Sequence, residues 1–90
     1  MALTTSDRQL AVVCYGKLRE TVGDSVTIAV PASVRSVADL AAWLGQRFPD
    51  AAQALGEPRV KAAIDDTIVP LSAPLGDATR VEFFPPVSGG

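Results

Sequence analysis

The sequence predicts an α+β fold in which a mixed β-sheet packs against one main helix. Three observations lead to this prediction. Five short segments are rich in β-branched and aromatic residues, one segment repeats apolar residues at helical spacing, and the order along the chain is β-β-α-β-β-β. A single helix of about three turns has one apolar stripe to bury, and one face of a sheet is its natural partner.

The first two predicted strands form a hairpin. Residues 10–15 read LAVVCY, which places Leu10, Val12 and Cys14 on one face of a strand. Residues 25–30 read SVTIAV and alternate in the same way. The segment GKLRETVGD between them carries turn residues at both ends, so we expect a long loop joining two antiparallel strands.

The main helix is predicted to begin at Ser36. Its side-chain oxygen can accept hydrogen bonds from the first helical turn, and Asp39 places a carboxylate near the positive end of the helix dipole. Apolar residues then recur at steps of three and four until Pro49: Val37, Leu40, Ala41, Leu44 and Phe48. Trp43 lies beside this stripe, where we expect it to pack at the flank rather than to contact a partner.

A second hairpin is predicted after a connection that includes a short helical turn at residues 51–55. Its strands are residues 60–64 and 67–69, joined by Asp65 and Asp66. Two adjacent carboxylates could form an acid/base pair, but that chemistry needs an enclosed pocket to separate their pKa values. Short polar side chains that bond to nearby backbone favour a tight turn instead.

The last predicted strand, residues 80–84, completes the outline of a β-grasp, the ubiquitin-like roll. Alternation puts Val81 and Phe83 on one face of this strand and Phe84 on the other. In such a roll the first and last strands are neighbours at the centre of the sheet. We therefore expect Tyr15 and Phe84 to share the face that points away from the helix.

The length and composition fit one small domain. At 90 residues the chain can bury a single core, and we expect residues 1–8 to be a flexible leader, residues 9–84 the β-grasp domain and residues 85–90 an extended tail. No apolar run is long enough to span a membrane, and the start of the chain lacks the basic and apolar regions of a secretory signal. The cytoplasm is the expected location.

Several classes of site are disfavoured by residue counts. One cysteine and no histidine leave too few ligands for a zinc or iron–sulfur site and exclude histidine-based acid/base chemistry. The formal net charge is −2 and the basic residues are scattered, so a nucleic-acid surface is not expected. We expect the chain to bind no cofactor and to be no enzyme on its own.

The chain finishes with FFPPVSGG. Pro85 and Pro86 restrict their own backbone angles and lack N–H groups, so the chain should leave the sheet there as a stiff arm. Gly89 and Gly90 have no side chains and can pass through a narrow channel. A ragged terminus without function is the alternative, but the combination favours a carboxylate that is delivered into another protein.

Three segments together resemble a known family. They are VVCYGKLRE at residues 12–20, the helix at residues 36–48, and the ending FFPPVSGG, which is the most specific of the three. The chain resembles the sulfur-carrier proteins of the MoaD/ThiS group, and within it most closely the small subunits of molybdopterin synthase. Two positions depart from the usual pattern, since Cys14 stands where an aromatic residue is frequent and Tyr15 where phenylalanine is common.

This resemblance implies a reaction at the C-terminus. In this family an adenylating enzyme uses ATP to convert the terminal carboxylate, here that of Gly90, into an acyl-adenylate and then a thiocarboxylate. The large subunit of molybdopterin synthase receives this tail, and the sulfur passes to cyclic pyranopterin monophosphate. Gly89, which has no side chain, would let the tail pass through a narrow channel in the partner. ATP would be bound by the activating enzyme. The implied assembly is a heterotetramer.

The partner-binding residues are also expected from the resemblance and the face assignment. Tyr15 and Phe84 would anchor the docking surface, although either ring could instead belong to the core. Arg19, in the turn after the first strand, matches a family position near the partner, and simple solvation is its alternative. The remaining expected contacts are those of the tail: Pro85, Pro86, Val87 and Ser88. Cys14 is assigned to the core rather than to sulfur transfer.

Other functions stay open at this point. One is a ubiquitin-like modifier whose Gly90 is joined to lysines of other proteins through the same activation chemistry. Another is a sulfur carrier of a different pathway, such as thiamine synthesis. A β-grasp interaction module with an inert tail is the third.

Overall fold

The computed structural model describes residues 8–57 and 59–85. Within these residues, five strands form one sheet: β1 (Arg8–Cys14), β2 (Ser25–Val30), β3 (Lys61–Ile64), β4 (Thr67–Val69) and β5 (Arg80–Phe84). The helices are α1 (Lys17–Val22), α2 (Val37–Arg47) and α3 (Ala52–Leu55), the last preceded by a 3₁₀ turn at Pro49–Ala51. The predicted fold class, a mixed sheet packed on one main helix, is confirmed.

The strands are ordered β2-β1-β5-β3-β4, with β1 and β5 parallel at the centre. The neighbouring pairs β1–β2, β5–β3 and β3–β4 are antiparallel. Leu10, Val12 and Cys14 are buried on one face of β1, as the alternation predicts. β1 begins at Arg8, one residue before the expected domain boundary, and Arg8 pairs with Val30 of β2.

The start of α2 follows the predicted capping chemistry. The backbone N–H of Asp39 donates to Ser36 Oγ at 3.0 Å, and the Ser36 N–H donates back to Asp39 Oδ2 at 3.3 Å. A further bond from the backbone N–H of Arg35 is the main cause that holds the pKa of Asp39 below its ordinary value. The helix then ends at Arg47, directly before Phe48 and Pro49.

The apolar stripe of α2 forms one side of the core. Its buried residues are Val37, Leu40, Ala41 and Leu44, and Phe48 is half-buried at the end of the stripe. Trp43 is half-buried and packs against the core, with the Arg47 guanidinium 5.4 Å from its ring centroid. Both the stripe and the flank position of Trp43 match the prediction.

The segment between β1 and β2 differs from the expected long loop. It contains α1, because Leu18 and Val22 are four residues apart and both are buried against the core. Gly16 and Gly23 flank this helix with φ angles of 60° and 110°. The hairpin is confirmed, but the predicted order lacks α1 and is wrong at this point. The helical turn predicted at residues 51–55 is present as α3 and the 3₁₀ turn before it.

The turn between β3 and β4 is formed by the adjacent aspartates, as predicted. Asp65 and Asp66 have φ angles of 47° and 73°, a left-handed conformation that aspartate tolerates better than most residues. Asp65 Oδ1 also accepts from Thr79 Oγ1 at 3.3 Å and from the Arg80 N–H at 3.2 Å. The carboxylate therefore joins this turn to the start of β5.

The long connection from β4 to β5 covers the N-terminus of α2. The N–H groups of Val37 and Ala38 donate to the carbonyls of Ala73 and Leu71 at 3.0 and 2.8 Å. These bonds satisfy donors that the first helical turn leaves free. The Arg8 guanidinium donates to the carbonyl oxygens of Gly76 and Ala78, and these bonds tie the β4–β5 connection to β1 as well.

In the described part of the chain, no helix has the length and hydropathy to cross a membrane.

The fold predicts opposite consequences for the two adjacent phenylalanines of β5. Phe83 is completely buried, so Phe83→Ala should lower the free energy of unfolding by about 3–5 kcal/mol through lost contacts and a residual cavity. Phe84→Ala should cost clearly less, because Phe84 is only half-buried on the other face. Urea unfolding followed by circular dichroism measures both. A larger loss for Phe84→Ala would contradict the face assignment.

Candidate functional site

The candidate site is the root of the tail, where β1 and β5 end side by side. The parallel register pairs Cys14 with Phe83. One position further along both segments, the rings of Tyr15 and Phe84 stack with centroids 4.8 Å apart and an interplanar angle of 2°. The chain leaves the sheet directly beyond this stacked pair, at Pro85.

The stacked pair lies on the sheet face opposite α2, which we call the open face. Tyr15 is 38% exposed and Phe84 is half-buried, whereas Phe83 on the helix side is completely buried. The prediction that the two rings share the face away from the helix is confirmed. Stacked aromatic rings combine large apolar area with few rotatable bonds, which suits an interface anchor. Their contact with a partner stays a prediction.

A carboxylate that the sequence analysis did not select supports the stacked pair. The Tyr15 hydroxyl donates to Glu82 Oε2 at 2.6 Å, and Glu82 is only 8% exposed. This hydrogen bond is the main cause that raises the pKa of the Tyr15 hydroxyl above its ordinary value. Arg80 lies 3.6 Å from Glu82 Oε1 and also pairs with Asp66. The stacked pair is therefore held by an ionic network on the same face.

Ile68 is a second residue of the open face that the sequence analysis missed. Cross-strand pairing aligns Ile68 with Ala63, Ala63 with Glu82, and Glu82 with Val13, so all four side chains point to one side of the sheet. Ile68 is 64% exposed. The alternation of β4 could have placed it there, because its neighbours in this strand turn toward the opposite face.

Arg19 occupies a different environment from the predicted turn. It lies in α1 and forms an ion pair with Asp24, and the two side chains are 62% and 73% exposed. An ion pair so exposed contributes little to stability, about 0–1 kcal/mol. The predicted role of Arg19 in partner binding is not tested by this geometry.

Most of the predicted tail lies outside the described residues. Pro85 is half-buried at the end of β5. The other predicted tail positions fall beyond the described range: Pro86, Val87, Ser88, Gly89 and Gly90. Their assigned roles stay predictions.

Cys14 belongs to the core, as predicted. The residue is 1% exposed, and burial raises the pKa of its thiol from 9.0 to about 11. A thiol must lose its proton to act as a sulfur nucleophile, so this environment disfavours that role near neutral pH.

The architecture and the tail root together define the class of protein. A helix packed on one face of a mixed sheet, with parallel first and last strands at its centre, is the ubiquitin-like β-grasp fold. The ThiS family model matches residues 12–90, and the chain belongs to this family.

Individual relatives agree with this assignment. The molybdopterin synthase sulfur carrier subunit of Escherichia coli (strain K12) is 35% identical over 81 residues, covering 90% of this chain and 99% of that protein. SAMP1 from Haloferax volcanii has a TM-score of 0.70 at 20% identity, with 92% of this chain and 100% of the other covered. A putative molybdopterin converting factor subunit 1 from Pyrococcus furiosus has a TM-score of 0.69 at 23% identity, covering 88% and 98%. At these identities the two structures support the fold.

Burial of Cys14 predicts a loss of stability at alkaline pH. The folded state keeps the thiol proton up to about pH 11, whereas the unfolded state releases it near pH 9.0, so rising pH favours unfolding across this window. The free energy of unfolding should fall by up to about 3 kcal/mol more in the wild type than in Cys14→Ala. Urea unfolding at several pH values under reducing conditions measures this difference. Identical pH dependence in the two proteins would contradict it.

Proposed function

We propose that this chain is a sulfur carrier that serves as the small subunit of molybdopterin synthase. The carboxylate of Gly90 would be adenylated, converted to a thiocarboxylate, and used to donate sulfur to cyclic pyranopterin monophosphate. The observation that carries the proposal is the ThiS family match over residues 12–90, which includes the whole FFPPVSGG segment. The identity of 35% to a sulfur carrier subunit of molybdopterin synthase favours this pathway over thiamine synthesis.

The position of β5 supports this proposal. Pro85 has no N–H group with which to extend the ladder, so the sheet ends at Phe84 on the rim of the open face. Six residues, 85–90, span at most about 20 Å when extended. A partner that docks on the open face could therefore receive the reactive group in a pocket well away from the body of the domain.

The proposed chemistry requires activation of the carboxylate. Attack of the Gly90 carboxylate on the α-phosphorus of ATP forms the acyl-adenylate and releases pyrophosphate. A persulfide of the sulfur donor then attacks the acyl carbon, and AMP leaves. A second thiol of the donor attacks the resulting acyl disulfide, which forms a disulfide on the donor and releases the thiocarboxylate. After sulfur is transferred to the pterin precursor, water restores the carboxylate. The chain itself supplies the terminal group and the docking surface, whereas the partners supply catalysis.

Two partners follow from this scheme, an adenylating enzyme and the large subunit of molybdopterin synthase. Tyr15 and Phe84 would anchor docking, with Ile68 adding exposed apolar area on the same face. A heterotetramer of two small and two large subunits is the proposed assembly. The cytoplasmic location expected from the sequence stays a prediction.

Intact-protein mass spectrometry tests the proposal directly. The purified chain is incubated with an adenylating enzyme, ATP and a sulfur source, and each component is omitted in turn. The expected product is heavier by the difference between one sulfur and one oxygen atom, and it should lose this increment when mixed with the large subunit and pterin precursor. Conjugates joined through lysine would instead indicate a modifier, and an unchanged mass would indicate an inert interaction module.

The stacked pair predicts a binding defect for Phe84→Ala. Loss of an interface aromatic should weaken binding to the large subunit by about 1–4 kcal/mol. Isothermal titration calorimetry with the folded variant measures the change in Kd. Gln46→Ala is a suitable control, because Gln46 is exposed on α2, which lies on the side of the sheet opposite the open face. Equal affinities of Phe84→Ala and Gln46→Ala would contradict the docking role.

The two terminal glycines predict defects at different steps. Gly90→Ala adds a methyl group next to the carbon under attack, so it should slow AMP-dependent activation. Gly89→Ala should be activated normally but transfer sulfur slowly, because its methyl group would narrow the fit in the partner's channel. Pyrophosphate release and single-turnover transfer separate the two steps. Wild-type rates for both variants in both assays would mean that the glycines have no steric role.

A further inference from the structure

We propose that Gly16 is a positioning residue for the tail. The absence of a side chain at Gly16 lets the Pro85 ring lie against the end of β1, and this contact sets the direction in which the tail leaves the domain. The inference rests on the proposed function, because direction matters only if the tail must enter a partner's pocket.

The contact continues the parallel register of the two central strands. Cys14 pairs with Phe83, Tyr15 stacks on Phe84, and Gly16 meets Pro85. Tyr15 is fixed further by a backbone hydrogen bond from its N–H to the Phe83 carbonyl at 3.2 Å. The first residue of the tail is therefore placed by the same alignment that holds the last strand, although the ladder itself has ended.

A side chain at Gly16 cannot fit beside this proline. A Cβ atom there would lie 2.8 Å from Pro85 Cγ and 3.6 Å from Pro85 Cδ. Among the described glycines, this is the shortest approach to a neighbouring atom. The proline ring is bonded to its own backbone nitrogen, so it cannot turn away as a flexible side chain would. A larger residue at this position must therefore displace Pro85 or the backbone of Gly16 itself.

The backbone of Gly16 is also fixed in a conformation that suits glycine. Its φ is 60° and its ψ is −134°, outside the regions that residues with a Cβ normally adopt. Gly16 is the N-cap of α1, and its carbonyl accepts from the Arg19 N–H at 3.1 Å. Gly16, against which Pro85 lies, is thus fixed in position by β1 before it and by α1 after it.

A small displacement at Pro85 would grow along the tail. For an extended arm of five further residues, a change of about 10° at its base displaces the end by roughly 3 Å. Errors of about 1 Å in the position of a reacting group can cost on the order of 100-fold in rate. The contact therefore acts on the reacting group at a distance, without touching it.

The test compares two glycines that differ in their neighbours. Gly76 also has a positive φ, of 53°, but a Cβ there would have nothing within 4 Å. Gly76→Ala therefore introduces backbone strain alone, whereas Gly16→Ala introduces strain and the clash with Pro85. With thiocarboxylated full-length carrier and saturating large subunit, we expect Gly16→Ala to transfer sulfur on the order of 10- to 100-fold more slowly than Gly76→Ala. The affinity of each folded variant for the large subunit should be similar.

A double substitution separates the clash from a structural effect. In a Pro85→Ala background the ring is gone, so Gly16→Ala should slow transfer by a much smaller factor than it does with Pro85 present. An equal factor in the two backgrounds would mean that Gly16 matters only for its backbone conformation, and the proposal would be wrong. Equal rates for Gly16→Ala and Gly76→Ala would also overturn it.

Two further measurements cover the remaining outcomes. If Gly16→Ala does not fold, Pro85→Ala is compared with Pro86→Ala, each of which removes one proline from the tail. Transfer should be slower for Pro85→Ala, and equal rates would overturn the proposal.

If the wild-type chain forms no thiocarboxylate, the proposed function fails, but the contact between Gly16 and Pro85 is still tested by NMR. Amide shifts of residues 87–90 should change in Gly16→Ala and not in Gly76→Ala, and unchanged shifts in both would contradict the contact.

Discussion

The parallel pairing of β1 with β5 is the interaction on which the rest of the structure depends. Four residue pairs, from Ala11↔Arg80 to Cys14↔Phe83, form the centre of the sheet. Their inward side chains, Val12, Cys14, Val81 and Phe83, are almost completely buried beneath the helices. At the ends of these two strands, the turn that follows β1 lies next to Pro85, where the tail begins. The core, the open face and the root of the tail are therefore parts of one arrangement, and a shift in this register would change all three.

The open face shows how an exposed aromatic side chain can be held in place without burial. The Tyr15 ring is restrained by stacking on Phe84 and by its hydrogen bond to Glu82, whose carboxylate is in turn close to Arg80. Side chains that are ordered before binding lose less entropy when a partner covers them. The same network places a nearly buried carboxylate at the centre of an otherwise apolar row that runs from Val13 to Ile68. A phenylalanine at position 15 would keep the stack but lose this support.

Local chemistry allowed much of the fold to be predicted. The Ser36–Asp39 capping box and the Asp65–Asp66 turn depend on neighbours within a few residues, and both were readable from the sequence. Strand alternation, combined with the β-grasp topology, also placed Tyr15 and Phe84 together. The Tyr15–Glu82 bond and the contact at Gly16 were not predictable in this way, because they depend on side-chain reach and register between distant segments. The helix α1 was not predicted for another reason. Gly16 and Gly23 at its two ends are typical of a loop, and only Leu18 and Val22, four residues apart, indicate a helix.

Tyr15 and Glu82 are 67 positions apart in the sequence, yet they form one hydrogen bond. During synthesis, β1 and β2 emerge long before β5, so the inner edge of β1 has no neighbouring strand until nearly the whole domain has left the ribosome. Unpaired strand edges and uncovered apolar helix faces favour aggregation, so this interval is when the nascent chain is most vulnerable. Because β5 is made last, the stacked pair of Tyr15 and Phe84 can form only when the domain is nearly complete. A chain that lacks β5 cannot form the stacked aromatic pair. If the proposed partner recognises this pair, it would therefore select chains whose folding is complete.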